Sequence, residues 1–338
     1  MYSTLEVHSN IRNYSISFVS DLNKIINYIK SANTITFIDA NVCRLYPELN
    51  LPNIVSVDCV EDVKTLEGAD KIYSILIEKK ANIKTKIIVI GGGILQDLVG
   101  FCASTYCRGI EYILVPTTLL AQADSCVGGK TSINFKNRKN ILGTFYPPSE
   151  IIIYPNFTNT LSELDLISGF GEIYKFNILQ NTITTFDINS NLSKMIYDGL
   201  NFKINILQKD EFDRGDRKFL NFGHTFGHAL ESISSHKIPH GIAVIIGSMI
   251  AVLVSKRLNY SVQNYDVILN TGIDLICKSK VEIKPEWFDF DRLIAIVKSD
   301  KKSTGKLTMV LIDNKPFLRD VEEYDILSSV LKEIYEII

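Results

Sequence analysis

Four of the chain's five histidines, His224, His228, His236 and His240, fall in one stretch, "NFGHTFGHALESISSHKIPHGIAV", amid small and apolar neighbours. Histidine is the commonest metal ligand and titrates near neutrality, so the concentration points to a metal or to proton transfer. His224 and His228 stand four apart and share one face of a helix. His240 follows the loop "SSHKIP" and opens an apolar helix, "HGIAVIIGSMIAVLV"; two antiparallel helices would bring it to His224. A catalytic zinc needs a third protein ligand. The best oxygen is Glu172 in "ISGFGEIYKFNIL", where a lone carboxylate among apolar and small residues is costly unless paired or metal-bound. Lys175 lies three residues on, on the same face. Two histidines and a glutamate imply zinc; hydrogen-bonded core histidines are the other reading of the same residues. HExxH, the sharper zinc pattern, is absent, and His236 reads as an exposed loop residue.

Cations and amides surround this set. Arg217, Asn221, His224 and His228 are spaced 4, 3 and 4, so one helix could present them as a stripe suited to an oxygen-rich anion, with Lys203 upstream. "QADSCVGGKTSINFKNRKN" gathers Asp124, Lys130, Arg138, Lys139 and Asn140 around Gly128-Gly129. That suits phosphate or carboxylate, although a solvated basic loop has the same composition. It is not a Walker A motif. "SDKKSTGKL" adds Lys301 and Lys302 in a loop.

A third group suits a nucleotide. A β-branched run ends in Gly91-Gly92-Gly93 and leads into a helix, which permits close backbone approach to a phosphate. Asp97 lies one turn into that helix. Asp39 and Asn41 follow one strand, and Glu61 and Lys64 follow the next. Polar residues just past strand ends face the crevice where a nucleotide lies in a parallel sheet. Each alone also reads as a turn residue or a cap.

The elements that must hold these groups divide into two halves. Thr34–Ala40, Asn53–Val60, Lys84–Ile90 and Ile110–Thr118 read as buried strands separated by helical spacing, which implies a parallel α/β layer. From Leu161 to the mid-250s helical periodicity dominates. The expected division is an α/β, Rossmann-like nucleotide-binding domain over residues 1–157 and a mainly helical metal- and substrate-binding domain over 158–338. A strand is expected over Lys306–Ile312 and a helix at the end.

Composition narrows the function. The chain has 338 residues, 46% apolar and 22% charged, with a net charge of -2. That balance argues against a nucleic-acid partner. Neither a signal peptide nor a run of eighteen apolar residues is present, so no membrane span is expected. The six cysteines form no CxxC pair and read as reduced thiols in the cytoplasm.

Taken together, "GGGILQDLVGF", "RGIEYILVPTTLLAQADSCVGGKTSIN", "KNILGTFYPP", "GFGEIYKFNIL", "LNFGHTFGHALE" and "HGIAV" resemble the 3-dehydroquinate synthase family of the sugar phosphate cyclases. The resemblance runs in order from Asp39 to Val254, with a weaker echo at "SDKKSTGK". It implies a homodimer that binds a sugar-acid phosphate, 3-deoxy-D-arabino-heptulosonate 7-phosphate, and yields 3-dehydroquinate and phosphate. The implied chemistry is transient oxidation by NAD, phosphate elimination, re-reduction and intramolecular aldol closure.

By this resemblance Glu172, His224 and His240 hold Zn2+ or Co2+, and His228 serves the phosphate or acid–base chemistry. Asp124, Lys130, Lys139, Asn140, Lys175, Lys203, Arg217, Asn221 and Lys301 or Lys302 line the substrate pocket. Arg108 reaches the neighbouring subunit's substrate. Asp39, Asn41, Glu61, Lys64, Gly91, Gly92, Gly93, Asp97, Thr117 and Thr118 contact NAD, with Lys130 and Lys139 beside them. Aminodehydroquinate, 2-deoxy-scyllo-inosose and valiolone cyclases are the related alternatives, as is a homologue with impaired turnover. One departure stands out: the family's HGEAV reads His240-Gly241-Ile242-Ala243-Val244 here, with an apolar residue in place of a carboxylate.

Overall fold

The computed structural model describes residues 3–136, 138–183, 188, 190–300 and 307–338. Packing divides the chain into two units. The first comprises the residues up to Leu161 together with Ile196–Phe212, and the second comprises Ser162–Met195 and Asp213–Ile338. The segment Ile196–Phe212 therefore groups with the α/β part, whereas the sequence reading counts it with the helical half.

The first unit is built on a seven-stranded sheet. Its strands are β1 (Leu5–Val7), β2 (Tyr14–Phe18), β3 (Thr34–Asp39), β4 (Ile54–Val57), β5 (Lys86–Gly91), β6 (Glu111–Pro116) and, after a hairpin of β7 (Lys130–Phe135) and β8 (Arg138–Phe145), β9 (Glu150–Ile153). The order is β1-β2-β9-β6-β5-β3-β4, all parallel except β1 against β2. The interior strands are continuous apolar runs such as Ile87–Ile90, wholly buried, as a sheet covered on both faces requires. Helices α1 (Leu22–Ile29), α2 (Ala40–Leu45), α3 (Leu66–Glu78) and α4 (Gly93–Thr105) connect them. Asp21, Asp39 and Thr65 cap the first three by accepting a backbone N–H. The chain leaves β3 towards β4 on one side and returns to β5 on the other. The carboxyl ends of β3 and β5 are thus the switch point at which open α/β sheets bind ligands. Gly128-Gly129, expected in a loop, leads directly into the β7–β8 hairpin.

The second unit is helical. It contains α5 (Glu163–Leu179), the start of α6 (Leu192–Leu207), α7 (His224–Ile233), α8 (His240–Arg257), α9 (Tyr265–Ser279), α10 (Phe290–Asp300) and α11 (Tyr324–Ile337), with a hairpin of β10 (Thr308–Asp313) and β11 (Lys315–Asp320). Every residue of α8 from Gly241 to Ser255 is buried, so this helix is the axis of the unit. It packs on α5, α7, α9, α11 and β10. By length and composition α8 is apolar enough to cross a membrane; here its apolar surface is covered by its own unit. Ser162 caps α5 by accepting from the Asp165 N–H at 3.1 Å.

Candidate functional site

In the second unit the site begins with glycines. A Cβ on Gly171 of α5 would lie 2.2 Å from the Gly241 carbonyl oxygen, and one on Gly241 of α8 would lie 1.6 Å from that of Ser168. Only glycine permits such an approach. The Gly241 N–H donates to Ser168 Oγ at 3.1 Å. Glu172 and His240 are the chain neighbours of these two glycines, so the crossing itself brings them together. On the other side of α8, a Cβ on Gly247 would lie 2.0 Å from the Gly223 carbonyl oxygen. Gly223 has φ 77°, and α7 starts at the next residue, His224.

The outcome is a focus of three ligand atoms. Nε2 of His224 and of His240 lie 3.4 and 3.3 Å from Oε1 of Glu172. His224 Nδ1 faces the Phe222 carbonyl oxygen at 3.1 Å, and His240 Nδ1 faces Glu231 Oε2 at 3.0 Å. Both partners accept, so each ring carries a proton on Nδ1 and turns its Nε2 to Glu172. Glu172 is wholly buried, and neither of its oxygens finds a hydrogen-bond donor in good geometry, although the Lys175 ammonium sits against Oε2.

Acceptor atoms gathered this closely in a buried place are costly unless a proton or a metal cation lies among them. Two imidazole nitrogens and one carboxylate oxygen form the donor set of a catalytic zinc with an open position, and cobalt takes the same donors. The electrostatics agree. Burial pushes the Glu172 carboxyl up, but Lys175 and the two histidines hold it well below the usual carboxylate range. Burial pulls His240 down, but Glu172 and Glu231 raise it to about 10. A field that draws protons to this point also draws a divalent cation.

Around the focus the stripe expected on a single helix is broken. Arg217 and Asn221 lie in a 3-10 turn, Asp216–Asn221, and Phe222-Gly223 separate it from α7. The left-handed Gly223 stops the helix there. Arg217 is 4% exposed, while Asn221 and His228 are exposed. The His228 ring lies 5.2 Å from that of His224 and 5.9 Å from that of His240. His228, Glu231 and His240 form a second gathering of ligand atoms within 4.8 Å. Lys301 lies outside the described residues.

The first unit holds two further groups. Lys203 of α6 donates to the Asp124 carbonyl oxygen at 2.6 Å and meets its carboxylate at 2.9 Å. Lys64, 5% exposed, donates to Asp97 Oδ2 at 2.6 Å and to Asn140 Oδ1 at 2.5 Å. Ser132 donates to Asn140 Oδ1 at 2.9 Å, and Asn134 Nδ2 donates to Glu61 Oε1 at 2.7 Å. Four residues expected at the nucleotide or the substrate, Glu61, Lys64, Asp97 and Asn140, are thus joined in one network.

At the switch point, Asp39 ends β3, and Gly91, Gly92 and Gly93 join β5 to α4. Thr117 donates its backbone N–H to Gly91 O at 3.2 Å, and Thr118 caps the following turn. A Cβ on Gly92 would press on Thr118, whereas one on Gly93 would make only an ordinary contact. A cleft of about 400 Å³ is lined by Asp39, Asn41, Arg44, Asp58 and Cys59 among others. Lys130 and Lys139 stand exposed on the β7–β8 hairpin, and Arg108 is exposed in a turn after α4 with φ 62°.

Three participants escape the sequence reading. Glu231 stands seven residues after His224, two helical turns along the same face, and that spacing was available as a signal. Ser132 and Asn134 alternate along β7, a pattern visible only once that segment is a strand. Ile242 is wholly buried.

The chain matches the family described as 3-dehydroquinate synthase N-terminal over residues 54–168 and that described as 3-dehydroquinate synthase C-terminal over 169–303. A 3-dehydroquinate synthase from Clostridium tetani (strain Massachusetts / E88) is 38% identical over 291 residues, covering 81% of this chain and 74% of that protein. Among solved structures, a 2-deoxy-scyllo-inosose synthase complexed with carbaglucose-6-phosphate, NAD+ and Co2+ superposes with a TM-score of 0.81 at 24% identity, covering 98% of this chain and 99% of the other. A 2-epi-5-epi-valiolone synthase from Streptomyces hygroscopicus subsp. jinggangensis 5008 with NAD+ and Zn2+ bound gives 0.81 at 22% identity, covering 99% of each chain. Identities this low carry the fold alone.

Proposed function

The chain belongs to the 3-dehydroquinate synthase family, and from that premise we propose that it converts 3-deoxy-D-arabino-heptulosonate 7-phosphate to 3-dehydroquinate and phosphate, as a phosphate-eliminating lyase of aromatic biosynthesis. Its resident cofactors in this reading are NAD and a zinc or cobalt ion. The observation that carries it is the convergence of Glu172, His224 and His240 on one point, with their ligand atoms within 4.8 Å of one another. When bound, NAD supplies a reversible hydride acceptor, and the metal acidifies the hydroxyl it holds.

The chain's own residues do the rest. In the first unit, the glycine turn at residues 91–93 is open at Gly93, where a Cβ would meet only Ser125 Oγ at 3.5 Å, and is assigned to a dinucleotide's phosphates. Asp39, Asn41, Thr117 and Thr118 line one recess; they and the networked Glu61, Lys64 and Asp97 are assigned to NAD. Lys130, Lys139, Asn140, Asp124 and Lys203 are assigned to substrate oxygens, Lys203 being held in place by Asp124. In the second unit, the buried Arg217 with Asn221 suits a carboxylate, which favours the heptulosonate over cyclase substrates that lack one. Lys175 holds Glu172 ionised, and the exposed His228 is assigned to phosphate or to proton transfer. Arg108, exposed on its turn, is assigned to a second subunit's substrate, which makes the assembly a homodimer. All six cysteines are free, in keeping with a reducing, cytoplasmic setting.

The test is release of inorganic phosphate from this substrate with zinc present and NAD substoichiometric. Many turnovers per NAD, abolished by a chelator, are expected. Accumulation of NADH would mean a dehydrogenase on the same fold. No release from folded, metal-loaded protein would exclude this substrate.

A further inference from the structure

The two histidines at the metal focus are oriented by different partners. His224 leans on the neutral carbonyl of Phe222, two residues away on its own chain segment. His240 has no such support. It is the first residue of α8, follows Pro239, and its side chain is 31% exposed. A half-turn of that ring about its Cβ–Cγ bond would put Cε1 where Nε2 lies and Cδ2 where Nδ1 lies, and so take the donor nitrogen away from the focus. What opposes the rotation is Glu231 Oε2, 3.0 Å from Nδ1. Glu231 lies on α7, two turns beyond His224, so one helix supplies both a ligand and the orienter of another ligand.

The departure at Ile242 sharpens the point. Ile242 is two residues past His240, which on a helix turns it about 200° away. It is wholly buried in the apolar packing of α8. A carboxylate there would not face the free edge of the His240 ring, and Glu231 already occupies that edge. We propose that Glu231 is the positioning residue for His240: it fixes the tautomer and strengthens the ring as a donor, a role that position 242, turned away from the ring, does not serve. This rests on the metal-site assignment above.

The experiment is Co2+ binding to the whole protein, measured by chelator competition and by the visible absorption of bound cobalt. The parent, Glu231→Gln and Glu231→Ala are compared, with thermal unfolding of each metal-free protein alongside. Glu231→Ala is expected to bind about 10–100-fold more weakly, the usual cost of losing an outer partner, with an altered cobalt spectrum and an unchanged metal-free unfolding midpoint. Glu231→Gln, which still accepts from Nδ1 but lacks the charge, should fall between. Equal affinity in parent and Glu231→Ala, or a loss matched by destabilisation of the metal-free protein, overturns the proposal. A parent that does not bind Co2+ overturns the metal-site assignment instead.

Discussion

The two units solve the problem of buried charge in opposite ways. Around Lys64 the first unit satisfies itself: the ammonium has Asp97 and Asn140, Ser132 donates to the same amide, and Asn134 ties in Glu61. Around Glu172 the second unit stops short. Two histidines turn their Nε2 atoms to a wholly buried carboxylate that has the Lys175 ammonium beside its other oxygen. A self-satisfied network rigidifies a surface before a ligand arrives. One in which a buried carboxylate and two imidazole nitrogens converge favours a ligand of positive charge. The first suits a cofactor read by shape, the second an ion read by charge.

The largest test of this contrast is removal of a ligand atom. His224→Ala should cut phosphate release by at least about a thousandfold and abolish Co2+ retention in a chelator titration, while NAD affinity stays near the parent value. Gly241→Ala should come next. Its Cβ would meet the Ser168 carbonyl oxygen at 1.6 Å, and a backbone atom cannot step aside. A loss of about 3 kcal/mol in denaturant unfolding is expected. Gly93→Ala, with Ser125 Oγ at 3.5 Å as its nearest contact, should leave stability intact and weaken NAD, which fluorescence titration would show. Equal stability losses at the two glycines would erase the difference drawn here.

Lys64→Met breaks the self-satisfied network and leaves Asp97 without its ammonium. About a tenfold loss in NAD affinity is expected, worth ~1.4 kcal/mol, with Co2+ affinity unchanged. The smallest effect should be Ser162→Ala, which removes the cap of the helix carrying Glu172. Thermal or denaturant unfolding should register about 1 kcal/mol, and metal affinity should not move.

The strands were legible because buried parallel strands are continuous apolar runs, and Thr34–Asp39, Lys86–Gly91 and Glu111–Pro116 carry that signature. The histidine cluster and Glu172 were legible because polar groups in apolar surroundings demand a reason. The fracture between Asn221 and His224 was not, since the spacing 4, 3, 4 is equally good for an unbroken helix. Only the approach of Gly223 to α8 decides it. The hairpin at Lys130–Phe145 was hidden by its charge, because exposed strands lose the apolar run that marks buried ones. Glu231 escaped notice because a glutamate in a helical sequence reads as a solvated residue, and only the fold shows that it is largely covered beside His240.

The burial of α8 has a consequence for how the chain is made. A ribosome completes α8 at Arg257 and must add about 80 residues before α11, which packs on it, is finished at Ile337. At typical rates of ~5–20 residues per second that is roughly 4–16 seconds. For that interval an apolar rod long enough to pass for a membrane anchor is only partly clothed. The helix that is the axis of the finished unit is therefore vulnerable at birth, and the late C-terminal elements act as its sheath.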